Sequence, residues 1–101
     1  KYKNIYGIER GGLIPAVIIS HKLNLPLVDK QHIGNYTLIV DDIVDSGTTM
    51  YQVQLTAKIK NKTIPDTAVL FWRKQKARLK PTYYVEDNIG DNWLVFPWEE
   101  K

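Results

Sequence analysis

At 101 residues the chain has room for one domain built on a single modest core. Hydrophobic residues at 44% and charged residues at 25% exclude a disordered or low-complexity protein, and the lack of cysteine excludes a disulfide framework or a thiolate metal site. No apolar run reaches membrane-spanning length and no signal-peptide pattern is present, so a soluble cytoplasmic protein with no membrane partner is expected. The net charge of +3 is mild but unevenly spread. Arg73, Lys74, Lys76, Arg78 and Lys80 come without an acid, and the stretch that follows is acidic, with Glu86, Asp87, Asp91, Glu99 and Glu100. The pattern reads as a solvated loop flanked by compensating charge rather than as a nucleic-acid patch.

Residues 3–8, "KNIYGI", read as a short strand that stops at Glu9-Arg10-Gly11-Gly12. The stretch "LIPAVIISHKLN" places Leu13 with Val17 and Ile14 with Ile18, which predicts a helix with Pro15 in its first turn, where a missing N–H is harmless. "PLVD" reads as a second short strand and Gly34-Asn35 as a turn. "TLIVDD" is continuously apolar up to its two acids, as expected of a strand covered on both faces and ending there. After Gly47 an amphipathic helix is predicted, with Tyr51, Leu55 and Ile59 on one face and Val53 and Ala57 beside it. "TAVLFW" and "TYYVED" give two further strands, and the chain beyond Trp93 is expected to be irregular. Strands alternating with helices indicate a compact α/β domain with a mainly parallel sheet flanked by helices. A single domain over 1–101 is expected, with its core in about 1–72 and a C-terminal segment in about 73–101.

Strand, polar glycine turn, helix occurs twice, at residues 3–24 and 37–60. In a parallel sheet both turns fall on the carboxyl edge, where ligands bind. The turn Asp45-Ser46-Gly47-Thr48-Thr49 exposes backbone N–H groups at a helix start and adds hydroxyl donors, which suits a phosphate. A helix cap needs one such residue, not five. Asp41 and Asp42 repel one another and would serve a strand end poorly, but they suit ribose hydroxyls, a hard cation such as Mg²⁺, or both. Arg10 with Gly11 and Gly12 forms a second anion-site candidate: a forked cation next to backbone that can approach an oxyanion closely. Two anion sites around a sugar site point to a sugar carrying a 5′-phosphate and a second phosphate group. His21 and His32 lack metal-ligand spacing, and neither a P-loop nor a dinucleotide fingerprint is present.

"LIVDDIVDSGTT" closely resembles the 5-phosphoribosyl pyrophosphate (PRPP) signature of type I phosphoribosyltransferases. "IYGIERGGLIPA" resembles that family's pyrophosphate loop, and "NWLVFPWE" resembles the close of its xanthine–guanine branch. The resemblance implies transfer of the phosphoribosyl group from PRPP to a 6-oxopurine, with Mg²⁺, giving a nucleoside 5′-monophosphate and pyrophosphate. It implies that Asp41 and Asp42 hold the ribose diol and the metal. Asp45, Ser46, Gly47, Thr48 and Thr49 would hold the 5′-phosphate, with Asp45 also managing a purine proton as the catalytic group. Arg10, Gly11 and Gly12 would take the pyrophosphate, in a loop where family members commonly carry a non-proline cis peptide. Trp93 would stack on the purine, the Leu94 backbone would read its edge, and Arg73 or Lys74 would meet the 6-oxo group, with Trp98 left to packing. A homo-oligomer, dimer or tetramer, is expected, and no nucleic-acid partner.

Two departures stand out. Family enzymes carry a long mobile loop before the Asp-Asp strand, whereas here only "KQHIGNY" separates Asp29 from Thr37. Lid closure excludes water from the reacting centre, so a missing lid predicts slow transfer, PRPP hydrolysis or no catalysis. The family's N-terminal segment is also absent, and Lys1 in place of Met fits either a trimmed chain or a minimal enzyme completed by a partner. The competing reading is a non-catalytic PRPP- or nucleotide-binding module of the same fold, touching nucleic acid through residues 73–80.

Overall fold

The structure, a computed structural model, describes residues 1–86. Strands β1 (Asn4–Gly7), β2 (Thr37–Val44), β3 (Thr67–Trp72) and β4 (Tyr83–Glu86) form one parallel sheet in the order β1-β2-β3-β4. Helix α1 (Leu13–Leu23) follows β1, and helix α2 (Thr48–Asn61) follows β2. Alternate residues of β2 serve opposite faces, as the pleat requires. Leu38 and Val40 pack with Ile5, Ala16 and Ala68, under α1. Ile39 packs with Tyr6, Ile8, Met50, Val53 and Ala57, under α2. Burial on both faces is why the strand reads as one apolar run.

β2 does not end at its acids. It continues through Asp41 and Asp42 to Val44, because Ile43 and Val44 still pair with Phe71 and Trp72 of β3. The expected strand at "PLVD" is a single bridge, Leu27 to Ile5, held by Ile5 N–H to Pro26 C=O (3.0 Å) and Val28 N–H to Ile5 C=O (2.8 Å). Pro26 has no N–H to extend the ladder. Asp29 then turns the chain by accepting the Gln31 N–H (3.1 Å) at the head of a 3₁₀ turn, Lys30–His32. Because the Leu27 segment lies on one side of β1 and β2 on the other, the winding reverses at β1.

The inward face of α2 also differs from expectation. Met50, Val53 and Ala57 face the sheet, while Tyr51, Leu55 and Ile59 are exposed, Ile59 at 79%. Both rows have helical spacing, so the pattern alone could not choose between them; the side on which the crossover lays the helix did. Pro15 lies in the first turn of α1, as expected.

Residues 29–36 are fastened to the far end of α2. Lys60 Nζ donates to Gln31 C=O (2.6 Å), Asn61 Nδ2 to Ile33 C=O (3.0 Å) and Thr63 Oγ1 to Asn35 Oδ1 (2.8 Å), with Ile33 buried. That end lies a helix length, roughly 20 Å, from the turn at Gly47.

Candidate active site

The β1–α1 and β2–α2 turns meet at the carboxyl edge, beside the point of reversal, and line one cleft of about 880 Å³. Its walls carry Arg10, Gly11, Asp41, Asp42 and the run Asp45–Thr49, which unites the two turns singled out in the sequence. Leu13, Ile14, Ile43 and Met50 form an apolar part of its lining that the sequence did not point to.

The first turn closes through Gly12 N–H to Ile8 C=O (2.8 Å) and Leu13 N–H to Arg10 C=O (3.1 Å). The Gly12 N–H is therefore spoken for, whereas those of Arg10 and Gly11 have no acceptor among the described residues. The Glu9–Arg10 peptide is cis. Gly11 lies against Asp42, with space for no side chain between them.

Asp41 Oδ1 accepts the Asp42 N–H (2.8 Å), and Asp42 Oδ1 accepts the Ile43 N–H (2.8 Å). Burial, and secondarily contact with the Asp42 carboxyl, push the Asp41 carboxyl up to about 8. No cation among the described residues forms an ion pair with Asp41 or Asp42. Among the described residues no cluster of three or more His, Cys, Asp or Glu could hold a metal. Mg²⁺, however, commonly binds through one or two carboxylates with substrate oxygens and water completing its shell, so the pair fits it.

In the second turn Gly47 adopts φ +89°, and α2 begins without a side-chain cap. Thr48 N–H reaches Ser46 Oγ (3.3 Å), and Ser46 Oγ also meets Thr48 Oγ1 (3.1 Å). The N–H groups of Gly47, Thr49 and Met50 have no acceptor among the described residues. Converging unpaired donors at a helix start, with the helix dipole behind them, make an anion cradle.

Residues 73–79 run over this turn with Lys74, Gln75, Lys76 and Arg78 exposed, as a solvated loop would have them, and Arg73 buried. Arg73 is 7% exposed and its Nε lies 3.1 Å from Asp45 Oδ1; Lys76 Nζ lies 3.2 Å from the same oxygen. Both are charge–charge approaches rather than aligned hydrogen bonds. Lys74 instead lies over the Trp72 ring at 5.9 Å. Nothing in the sequence distinguished Lys76 from the other cations of its run. Trp93, Leu94 and Trp98 lie outside the described residues.

A parallel sheet that reverses between two strand–turn–helix units, each presenting an anion-binding turn to a shared cleft, has the type I phosphoribosyltransferase fold. Solved structures agree: a purine phosphoribosyltransferase from Pyrococcus horikoshii superposes with TM-score 0.84 at 34% identity, over 99% of this chain and 78% of its own. The hypoxanthine phosphoribosyltransferase of Trypanosoma cruzi shares the fold, with TM-score 0.72 at 19% identity over 90% of this chain and 59% of its own. Among curated proteins, the xanthine-guanine phosphoribosyltransferase of Chromohalobacter salexigens is 30% identical over 97% of this chain and 69% of its own length. That of Idiomarina loihiensis is 29% identical over 98% and 72%. No family model matches. The chain belongs to the family of xanthine-guanine and related purine phosphoribosyltransferases. Among its described residues, no helix is long and apolar enough to cross a membrane.

Proposed function

We propose that the chain transfers the 5-phosphoribosyl group of PRPP to a 6-oxopurine (guanine, xanthine or hypoxanthine), releasing pyrophosphate and forming a nucleoside 5′-monophosphate for purine salvage in the cytoplasm. The observation that carries this reading is the convergence of two anion-binding turns and an uncompensated acid pair on one cleft. Ser46 to Thr49 hold the 5′-phosphate through the N–H groups of the α2 start and the hydroxyls. Arg10 and the Gly11 N–H hold the pyrophosphate. Asp41 and Asp42 hold the ribose diol and Mg²⁺, which when bound neutralises charge on the departing pyrophosphate. A purine nitrogen bonds to C1′ as the C1′–O bond to pyrophosphate breaks, and Asp45 manages the purine proton as general acid–base. Trp93 and Leu94 complete the purine site, with Arg73 or Lys74 at the 6-oxo group. A homo-oligomer is the working assembly. Kinship with transferases favours this reading over the non-catalytic module.

The test is a thermal melt with Mg²⁺-PRPP, with and without each purine, following pyrophosphate release in the same mixtures. Saturation at about 100 times Kd adds roughly 2.7 kcal/mol, a shift on the order of ten degrees for a domain this small. A shift with purine-dependent release is expected; a shift without it leaves only a binder, and no shift removes the reading of Asp41 to Thr49.

A further inference from the structure

Asp45 stands in an unusual position for an exposed carboxylate. Its side chain is 48% exposed, yet Oδ1 is buried, close to both Arg73 Nε and Lys76 Nζ. The exposure therefore belongs to the rest of the side chain, and Asp45 lines the cleft.

The backbone builds this arrangement from both sides of Asp45. Arg73 N–H donates to Val44 C=O (2.9 Å), carrying the β2–β3 pairing one residue past the end of β3. Arg78 N–H donates to Ser46 C=O (2.9 Å). Between these anchors, Lys76 N–H (3.0 Å) and Ala77 N–H (2.8 Å) both bond Arg73 C=O, closing a turn that brings Lys76 back to Asp45. Residues 73–78 are thus tied to the neighbours of Asp45 on either side, and the two cations meet its inner oxygen.

We infer that Arg73 and Lys76 are positioning residues: they hold the Asp45 carboxylate by Oδ1 and present Oδ2 to the purine nitrogen, an inference that rests on the general acid–base role proposed above for Asp45. A carboxylate on a single-bonded stem turns freely unless one oxygen is fixed, and small misplacements of a reacting group are costly to rate. Buried Arg73 holds its charge at a fixed place against Oδ1, while Lys76, flexible and half-exposed, adds a weaker one. The Arg73 contribution is therefore the larger.

The test compares Arg73→Gln, Arg73→Lys and Lys76→Met in the full chain, measuring kcat, KM for PRPP and for the purine, and the PRPP-induced melting shift. Arg73→Gln is expected to lower kcat by about 30- to 100-fold, with the PRPP shift and the KM for PRPP kept and with Arg73→Lys recovering much of the loss. Lys76→Met is expected to lower kcat roughly two- to fivefold, as fits an exposed ion pair. Wild-type kcat in both Arg73→Gln and Lys76→Met, or losses that appear only as raised KM, would overturn the inference. If Arg73→Gln does not fold, the exposed Lys76→Met decides alone by whether kcat falls. A wild-type chain without purine-dependent release would overturn the proposed function and this inference together; an active wild type with unaffected variants overturns this one only.

Discussion

Gly11 and Asp42, thirty-one positions apart in the chain, are packed so closely that a Cβ on Gly11 would sit 2.6 Å from the Asp42 carboxylate carbon. No side chain fits there, so the turn after β1 and the acid pair of β2 form one unit. The absence of a side chain leaves the Gly11 N–H and the Asp42 carboxylate on the same small surface, where a pyrophosphate and its metal ion would meet.

Gly11→Ala must displace Asp42. Overpacking of this kind destabilises by roughly 1–3 kcal/mol, so the variant is expected to fold with a lowered melting point and to lose most of its affinity for Mg²⁺-PRPP. Calorimetric titration measures the loss. Affinity equal to wild type would mean that the acid pair does not serve the ligand.

The acid pair also predicts how stability responds to pH. The folded protein holds the Asp41 proton more tightly than the unfolded chain, since burial pushes that carboxyl up to about 8. Between the ordinary carboxylate range and pH 8 the native state binds the extra proton, so stability from this group is full at low pH and is lost as pH rises through about 8. Asp41→Asn removes the titration. Without ligand, the variant should melt increasingly above wild type from pH 5 to pH 8, by on the order of a few kcal/mol at the upper end. A melting-point difference that is flat across that range would contradict the burial argument. With Mg²⁺-PRPP present the order should reverse, because only wild type offers both carboxylates.

Gly47 holds φ +89° at the start of α2, and a Cβ there would lie 3.4 Å from both the Arg78 backbone nitrogen and Leu79 Cγ. An L-residue in this left-handed conformation costs about 1–2 kcal/mol, so Gly47→Val should lower the denaturant midpoint and weaken PRPP binding together. Asp45→Asn makes the contrast: it leaves the N–H cradle in place, so transfer should be lost while much of the PRPP binding survives. Similar loss of binding in both variants would argue against separate roles for the cradle and Asp45.

The connection over residues 29–36 is tied to the far end of α2, and none of its residues lines the cleft. The match to the Idiomarina relative runs over 123 positions against 101 residues here, so that relative has internal residues this chain lacks. On the proposed function, a connection that supplies no closing loop would leave water to compete with the purine for C1′. Incubation of the protein with Mg²⁺-PRPP and no purine should therefore yield ribose 5-phosphate and pyrophosphate faster than the enzyme-free rate. Release at the enzyme-free rate would show that water is excluded by other means.

The parts of the candidate site were legible in the sequence because each is contiguous: an apolar strand, then Arg10-Gly11-Gly12 or Asp41-Asp42 and Asp45 to Thr49, then a helix. Strand–turn–helix order also sufficed for a parallel α/β sheet with both turns on one edge. What the tertiary structure decided depends on partners distant in the chain. It chose Met50, Val53 and Ala57 over Tyr51, Leu55 and Ile59 as the inward row of α2, since two apolar rows of helical spacing are equivalent until a sheet lies beneath one of them. It carried β2 past its acids to Val44, because Phe71 and Trp72 were there to pair with. It also took Lys76 out of an undistinguished basic run and set it with Arg73 on Asp45, through backbone hydrogen bonds to Val44 and Ser46 that close only when β2 and β3 are side by side.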